Sequence, residues 1–197
     1  MRAWLVVREP ARCPELFTNA RGTAMTRAGF EYARSKNPTR TSLETLLASL
    51  EGGAAAHAFA SGQAATAALA TAHLAAGDHV VVSRLSYGGT FRYFTKVLSG
   101  FGVTFSWVDT TDLGAVRAAI VPATRMLFVE TPANPTMELS DLEALAALAR
   151  EASARLGAKV RLAVDSTFAT PFFQRPLALG ADAVVHSTTK YLNGHSD

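Results

Sequence analysis

Six short apolar runs, separated by segments of helical period, limit what this sequence can fold into more than any other feature. They fall at residues 54–60, 79–83, 103–108, 126–129, 160–164 and 183–185. Most are apolar nearly throughout instead of alternating, which is the pattern of a strand buried on both faces. Helical segments lie between them at 62–75, 90–98, 113–120 and 141–156. Strands of this kind alternating with helices predict an α/β fold, a mostly parallel sheet with helices on both faces.

The first strong helix is "TSLETLLASLEGG", where Thr41 and Glu44 have capping-box spacing. Leu43, Leu46, Leu47 and Leu50 share one face, and Gly52 is placed to stop the helix. Ser140 with Glu143, and then Gly157, bracket 141–156 in the same way. Upstream, Pro10, Pro14, Gly22, Gly29 and Pro38 interrupt any period. Residues 1–40 therefore read as an irregular N-terminal arm and 41–197 as one α/β domain.

With 197 residues, 49% hydrophobic and 18% charged, the chain can bury one sizeable core. No apolar run approaches the ~20 residues that span a bilayer. The apolar patch at residues 3–7 is too short for a signal-peptide core, so the cytoplasm is the expected location. Cys13 stands alone, which excludes an intrachain disulfide and a cysteine-built zinc cage. His57, His73 and His79 lack metal-ligand spacing, and no metal is expected. The net charge of +3 is spread along the chain and argues against a nucleic-acid partner.

In open α/β sheets, ligands gather beyond the carboxyl ends of the strands. The polar residues there are Ser61-Gly62-Gln63, Ser86-Tyr87-Gly88-Gly89, Glu130 through Asn134, Asp165-Ser166-Thr167 and Ser187 through Lys190. Lys190 is either a surface lysine or an amine whose pKa desolvation lowers until it can attack a carbonyl. Asp165 closes the apolar run "RLAV" and either caps its turn or serves a ligand. The stretch 168–182 is long enough for a parallel crossover, which would bring Asp165 and Lys190 to one sheet edge. A pyridine cofactor bearing an aldehyde needs that pair, an amine for the Schiff base and an acid for the ring nitrogen.

"SGQAA" starts a helix after a strand, where free N–H groups bind anions and glycine permits close approach. From these residues alone, a simple turn capped by Ser61 is the favoured reading there. The stretch matches neither the dinucleotide fingerprint nor the P-loop, and no nucleophile elbow occurs elsewhere. Tyr87 is either a packing residue or a ring that stacks on a flat heteroaromatic group.

"AVDSTFATPFFQRPLALGADAVVHSTTKYLNGHSD" closely resembles the cofactor segment of the Cys/Met-metabolism pyridoxal-phosphate enzymes. "GFEYARSKNPTRTSLE", "SGQAA", "SYGGT" and "ETPANPT" resemble four further blocks of that family, in the same order. The resemblance implies the large cofactor domain of PLP fold type I, with pyridoxal 5'-phosphate as cofactor. It implies that Lys190 bonds to the cofactor aldehyde and shuttles protons, and that Asp165 pairs with the ring nitrogen. Ser187 and Thr189, with backbone at Gly62 and Gln63, would hold the phosphate. Tyr87 would stack on the ring and act as an acid or base, and Asn134 would sit near the ring hydroxyl. Tyr32 and Arg34 would reach the phosphate of a neighbouring subunit, in a homodimer or homotetramer acting on a small amino acid.

Two departures from the family pattern are Gln63, where Met is common, and Ser166, where Asn is usual. Residues 1–28 do not resemble the family's entry segment. The chain also ends at "NGHSD", where the family pattern continues into a C-terminal domain, so it reads as an N-terminal fragment. The implied reaction is γ-elimination or γ-replacement on sulfur amino acids, of the cystathionine γ-lyase or γ-synthase type. An O-acylhomoserine sulfhydrylase and an inactive cofactor-binding remnant are the alternatives.

Overall fold

The computed structural model describes residues 3–7 and 36–194. Seven strands form a single sheet: β1 (Ala3–Val7), β2 (Ala55–Phe59), β3 (His79–Ser83), β4 (Thr104–Val108), β5 (Thr124–Glu130), β6 (Arg161–Asp165) and β7 (Ala183–Ser187). Their order is β2-β1-β7-β6-β5-β3-β4. Strands β7, β6, β5, β3 and β4 run parallel, and β1 lies antiparallel between β2 and β7. The helices are α1 (Pro38–Glu51), α2 (Gly62–His73), α3 (Gly88–Lys96), α4 (Leu113–Ala119), α5 (Leu142–Leu156) and the single turn α6 (Thr170–Phe173).

Because successive strand residues point to opposite faces, each apolar strand feeds two cores. On one face Val81, Leu127, Val129, Leu162, Val164 and Val184 pack with residues of α1, α4 and α5. On the other, Val80, Val82, Met126, Phe128, Ala163 and Val185 pack under Leu69 of α2 and Phe94 of α3. The α/β architecture expected from the apolar runs is the one observed.

Some local expectations are corrected. Residues 3–7, read as part of an irregular arm, form β1; a five-residue apolar patch can complete a sheet even where breakers follow it. Helix α1 starts earlier than the Thr41 box implied, because Asn37 caps it by accepting from Arg40 N–H and Pro38 enters the first turn. Glu44 is then free to accept the N–H of Ala58, which ties the helix to β2. On the predicted leucine face only Leu47 is buried, while Leu46 and Leu50 remain exposed. At α5 the cap is Asp141, which accepts from Ala144 N–H, and Ser140 instead exchanges a hydrogen bond with the hydroxyl of Thr110.

Candidate functional site

The two-residue alternation decides which side chains at the strand ends share a face. Glu130, Asp165 and Ser187 each follow by two a residue of the core beneath α2 and α3, namely Phe128, Ala163 and Val185. All three therefore lie on that face, with Glu130 and Asp165 directly opposite each other across β5 and β6.

Asp165 is buried, and its Oδ1 accepts from the N–H and the hydroxyl of Thr167 at 3.1 and 2.5 Å. The Thr167 hydroxyl oxygen in turn accepts the N–H of Ser187 at 2.9 Å. Ser187 stands against the start of α2. A Cβ added at Gly62 would lie 2.9 Å from Ser187 Cβ and 3.4 Å from its Cα, so only glycine fits there unless the backbone moves. Ser61 caps α2 by accepting from Ala64 N–H. The N–H groups of Gly62 and Gln63 are in the first turn, where a helix offers them no carbonyl.

The other side of the site is built on Glu130. Its Oε2 accepts the N–H of Tyr87 at 2.5 Å. The Tyr87 ring lies over Gly89, where an added Cβ would meet Tyr87 Cε1 at 2.3 Å and Gln63 Oε1 at 2.7 Å. The contacts thus close a loop: Asp165, Thr167, Ser187, Gly62 with Gln63, Gly89 with Tyr87, Glu130, and back to Asp165. Inside that loop both amide atoms of Gln63 are buried without a hydrogen-bond partner among the described residues. Buried polar groups rarely stay unpaired, and exceptions call for an explanation such as a missing ligand.

The electrostatics of the loop are unusual. Burial first, and then the neighbouring Asp165 charge, raise the Glu130 carboxyl to about 7, against backbone N–H groups of Tyr87 and Asn134 that lower it. Burial also pushes Asp165 up, opposed by its two bonds from Thr167 and by the charge of His186. Two carboxyl groups in register, both held above their ordinary range, favour a cationic or N–H donor partner.

Of the residues expected from sequence, Asp165, Ser187, Gly62, Gln63 and Tyr87 are brought together. Asn134 is exposed at the rim, with its N–H directed to Glu130. Lys190 and Thr189 follow in the turn after β7, where Lys190 N–H donates to Ser187 O. Lys190 is exposed, the surface position of the two readings left open by the sequence. Tyr32 and Arg34 lie outside the described residues, as does Cys13.

Glu130 and Thr167 stand among the strand-end polar residues marked from sequence but are given no role there. "MLFVE" does carry the same signal as "RLAVD", an acid closing a buried strand. Ser166, the noted departure, bonds to Gln174 Nε2 at 3.0 Å and leaves Asp165 to Thr167. A groove of about 570 Å³ lined by Arg150, Ser153, Lys159 and Asp182 lies at the other end of β6 and β7, away from these residues. No metal-binding cluster occurs among the described residues, and no described helix is long and apolar enough to cross a membrane.

A family model described as Cys/Met metabolism PLP-dependent enzyme matches residues 16–197. The cystathionine gamma-synthase of Mycobacterium tuberculosis (strain H37Rv) is 51% identical over 176 residues, covering 89% of this chain and 44% of that protein. The cystathionine gamma-lyase of Bacillus subtilis (strain 168) is 49% identical over 169 residues, 86% of this chain and 43% of its own length. A crystal structure of cystathionine gamma-lyase from Lactobacillus plantarum, complexed with L-serine, superposes with a TM-score of 0.81 at 44% identity. It covers 95% of this chain, which spans 47% of that structure. This chain therefore spans about half or less of the length of the relatives it matches.

Proposed function

The chain belongs to the Cys/Met metabolism PLP-dependent enzyme family, and from that premise we propose that residues 41–197 bind pyridoxal 5'-phosphate within an enzyme of trans-sulfuration. The reaction we assign to the whole protein is γ-elimination or γ-replacement on a sulfur amino acid. The observation that carries this reading is the closed loop of contacts, with a buried acid on one side and a glycine-tight helix start on the other. The residues present fit the cofactor. Gly62 lets the first turn of α2 approach Ser187 where a Cβ would collide, Gln63 holds buried polar atoms without a partner among the described residues, and Asp165 is a buried carboxyl suited to an N–H cation.

When bound, pyridoxal 5'-phosphate supplies an aldehyde that captures amines and a protonated ring that draws electrons from the substrate. Asp165 would hold the proton on the ring nitrogen, and Thr167 fixes that carboxyl group by two hydrogen bonds. The first-turn N–H groups at Gly62 and Gln63, with the hydroxyls of Ser187 and Thr189, would bind the phosphate at the helix N-terminus. Tyr87 presents its ring at the open side and, with Asn134, would orient the heterocycle. Lys190, exposed on the turn after β7, is the amine that would hold the aldehyde group and would carry protons at the substrate.

Tyr32 and Arg34 are assigned to the phosphate of a second copy, and a guanidinium suits that role. A homodimer or homotetramer in the cytoplasm is the setting we assign. Phe172 and Phe173, strongly exposed on α6, supply an apolar face for such an assembly. The γ-synthase and γ-lyase names of the relatives support that pair of reactions over the sulfhydrylases.

The test is titration of the purified chain with pyridoxal 5'-phosphate, read by visible absorbance. We expect a new band that Lys190→Ala abolishes and Asp165→Asn shifts and weakens. A wild-type chain that gives no band refutes the cofactor assignment. Cystathionine turnover by the full-length protein tests the reaction separately.

A further inference from the structure

The site as read leaves Glu130 without a task, although it is buried at the centre of the loop. The geometry points to Glu130 as the positioning residue for Tyr87: its carboxyl holds the Tyr87 N–H, while the bare backbone at Gly89 leaves room for the ring. This inference rests on the cofactor reading for its purpose, and on the contacts alone for its mechanics.

Tyr87 opens α3 as a cap residue without a side-chain cap bond of its own. The turn that carries it is held from two directions. From below, Glu130 Oε2 accepts its N–H at 2.5 Å, with Glu130 anchored in β5 and its own N–H donated to Ser83 Oγ at 3.2 Å. Above, the ring stands where a side chain at position 89 would be, so any Cβ there displaces it. The ring is otherwise 60% exposed, with no core packing to fix it. A heterocycle between Asp165 and Tyr87 would therefore meet a ring whose placement is set by Glu130, the residue opposite Asp165. One strand pair then determines the height of both the acid and the aromatic.

Three variants of the full chain separate the possibilities. Glu130→Gln keeps an acceptor oxygen at the same reach, Glu130→Asp withdraws it by one methylene, and Gly89→Ala displaces the ring without touching the acceptor. Hydrogen exchange at the Tyr87 amide, resolved by mass spectrometry, is measured without cofactor. Exchange should rise about tenfold or more in Glu130→Asp, the size of a lost hydrogen bond to a carboxyl group, and stay near wild type in Glu130→Gln and Gly89→Ala.

The affinity for pyridoxal 5'-phosphate should fall in Glu130→Asp and Gly89→Ala and be restored in Glu130→Gln. Equal exchange rates in wild type and Glu130→Asp overturn the inference. So does a Glu130→Gln variant as impaired in uptake as Glu130→Asp. A wild type that takes up no pyridoxal 5'-phosphate defeats the cofactor reading instead, and the exchange rates still decide whether Glu130 holds Tyr87.

Discussion

Glu51 and His186 are both 0% exposed, with Glu51 Oε1 and His186 Nε2 2.5 Å apart. Their remaining polar atoms, Glu51 Oε2 and His186 Nδ1, have no partner among the described residues. The pair joins the end of α1 to β7, one residue before Ser187. Replacing His186 with Leu leaves a carboxyl group in an apolar core with neither oxygen bonded. Breaking a buried pair from one side costs about 3–5 kcal/mol, a large part of the ~5–15 kcal/mol that holds a domain folded. The reverse change, Glu51→Leu, should cost a similar amount. Replacing both together removes two desolvated groups at once, and such swaps are often neutral or stabilising. The double variant should therefore lie within about 1 kcal/mol of wild type, far from the sum of the singles. Urea unfolding followed by far-UV circular dichroism reads this directly. With a slope of about 2–3 kcal/mol per molar, each single variant should lower the midpoint by more than about 1 M. Single variants that cost less than about 1 kcal/mol, or a double variant that loses the sum, refute the reasoning.

Two further outcomes follow from the site. Gly62→Ala places its Cβ 2.9 Å from Ser187 Cβ, and overpacking against fixed backbone costs about 1–3 kcal/mol. The urea midpoint of Gly62→Ala and its affinity for inorganic phosphate should both fall, and an unchanged midpoint contradicts the close approach. Glu130 titrates at about 7 in the fold, against 4.5 for its ordinary value. The folded state thus holds the extra proton: the stability Glu130 contributes is full below about pH 4.5 and is lost as pH rises through about 7. Unfolding free energies measured across that window should decline by up to about 1.4 kcal/mol per pH unit. In Glu130→Gln that decline should be reduced.

Fold class was legible because two-sided burial leaves a plain trace: "HVVVS" and "RLAVD" place apolar residues on both faces, and each of those runs became a central strand. Asp165 was legible for the same reason, as an acid closing such a run. Helix starts were less so. Thr41 with Glu44 has capping-box spacing, yet Asn37 before Pro38 offers an extended residue and a preset φ, and it won. Glu51 could not be read at all. In "SLEGG" it looks like a solvated residue at a helix end, and its burial depends on His186, distant in sequence and across the sheet face. The seat of β1 between β2 and β7 depends likewise on pairing that no local pattern encodes. Residues whose environment is set by their own strand can be predicted, and those set by a partner from elsewhere in the chain cannot.

That distinction also explains why the site is where it is. The parallel register that puts Glu130 opposite Asp165 brings two buried carboxyl groups together, an arrangement that costs stability in the chain by itself. A fold gains nothing from such a pair unless something else takes up the charge. Asp165 already spends one oxygen on Thr167, and Glu130 holds the N–H of Tyr87. The unmet requirement is a donor beside Asp165, on the face where Gly62 meets Ser187 closely and Gln63 lacks partners among the described residues. A flat ring with a protonated nitrogen at one end and a phosphate at the other meets both needs at once, and a neutral apolar ligand meets neither.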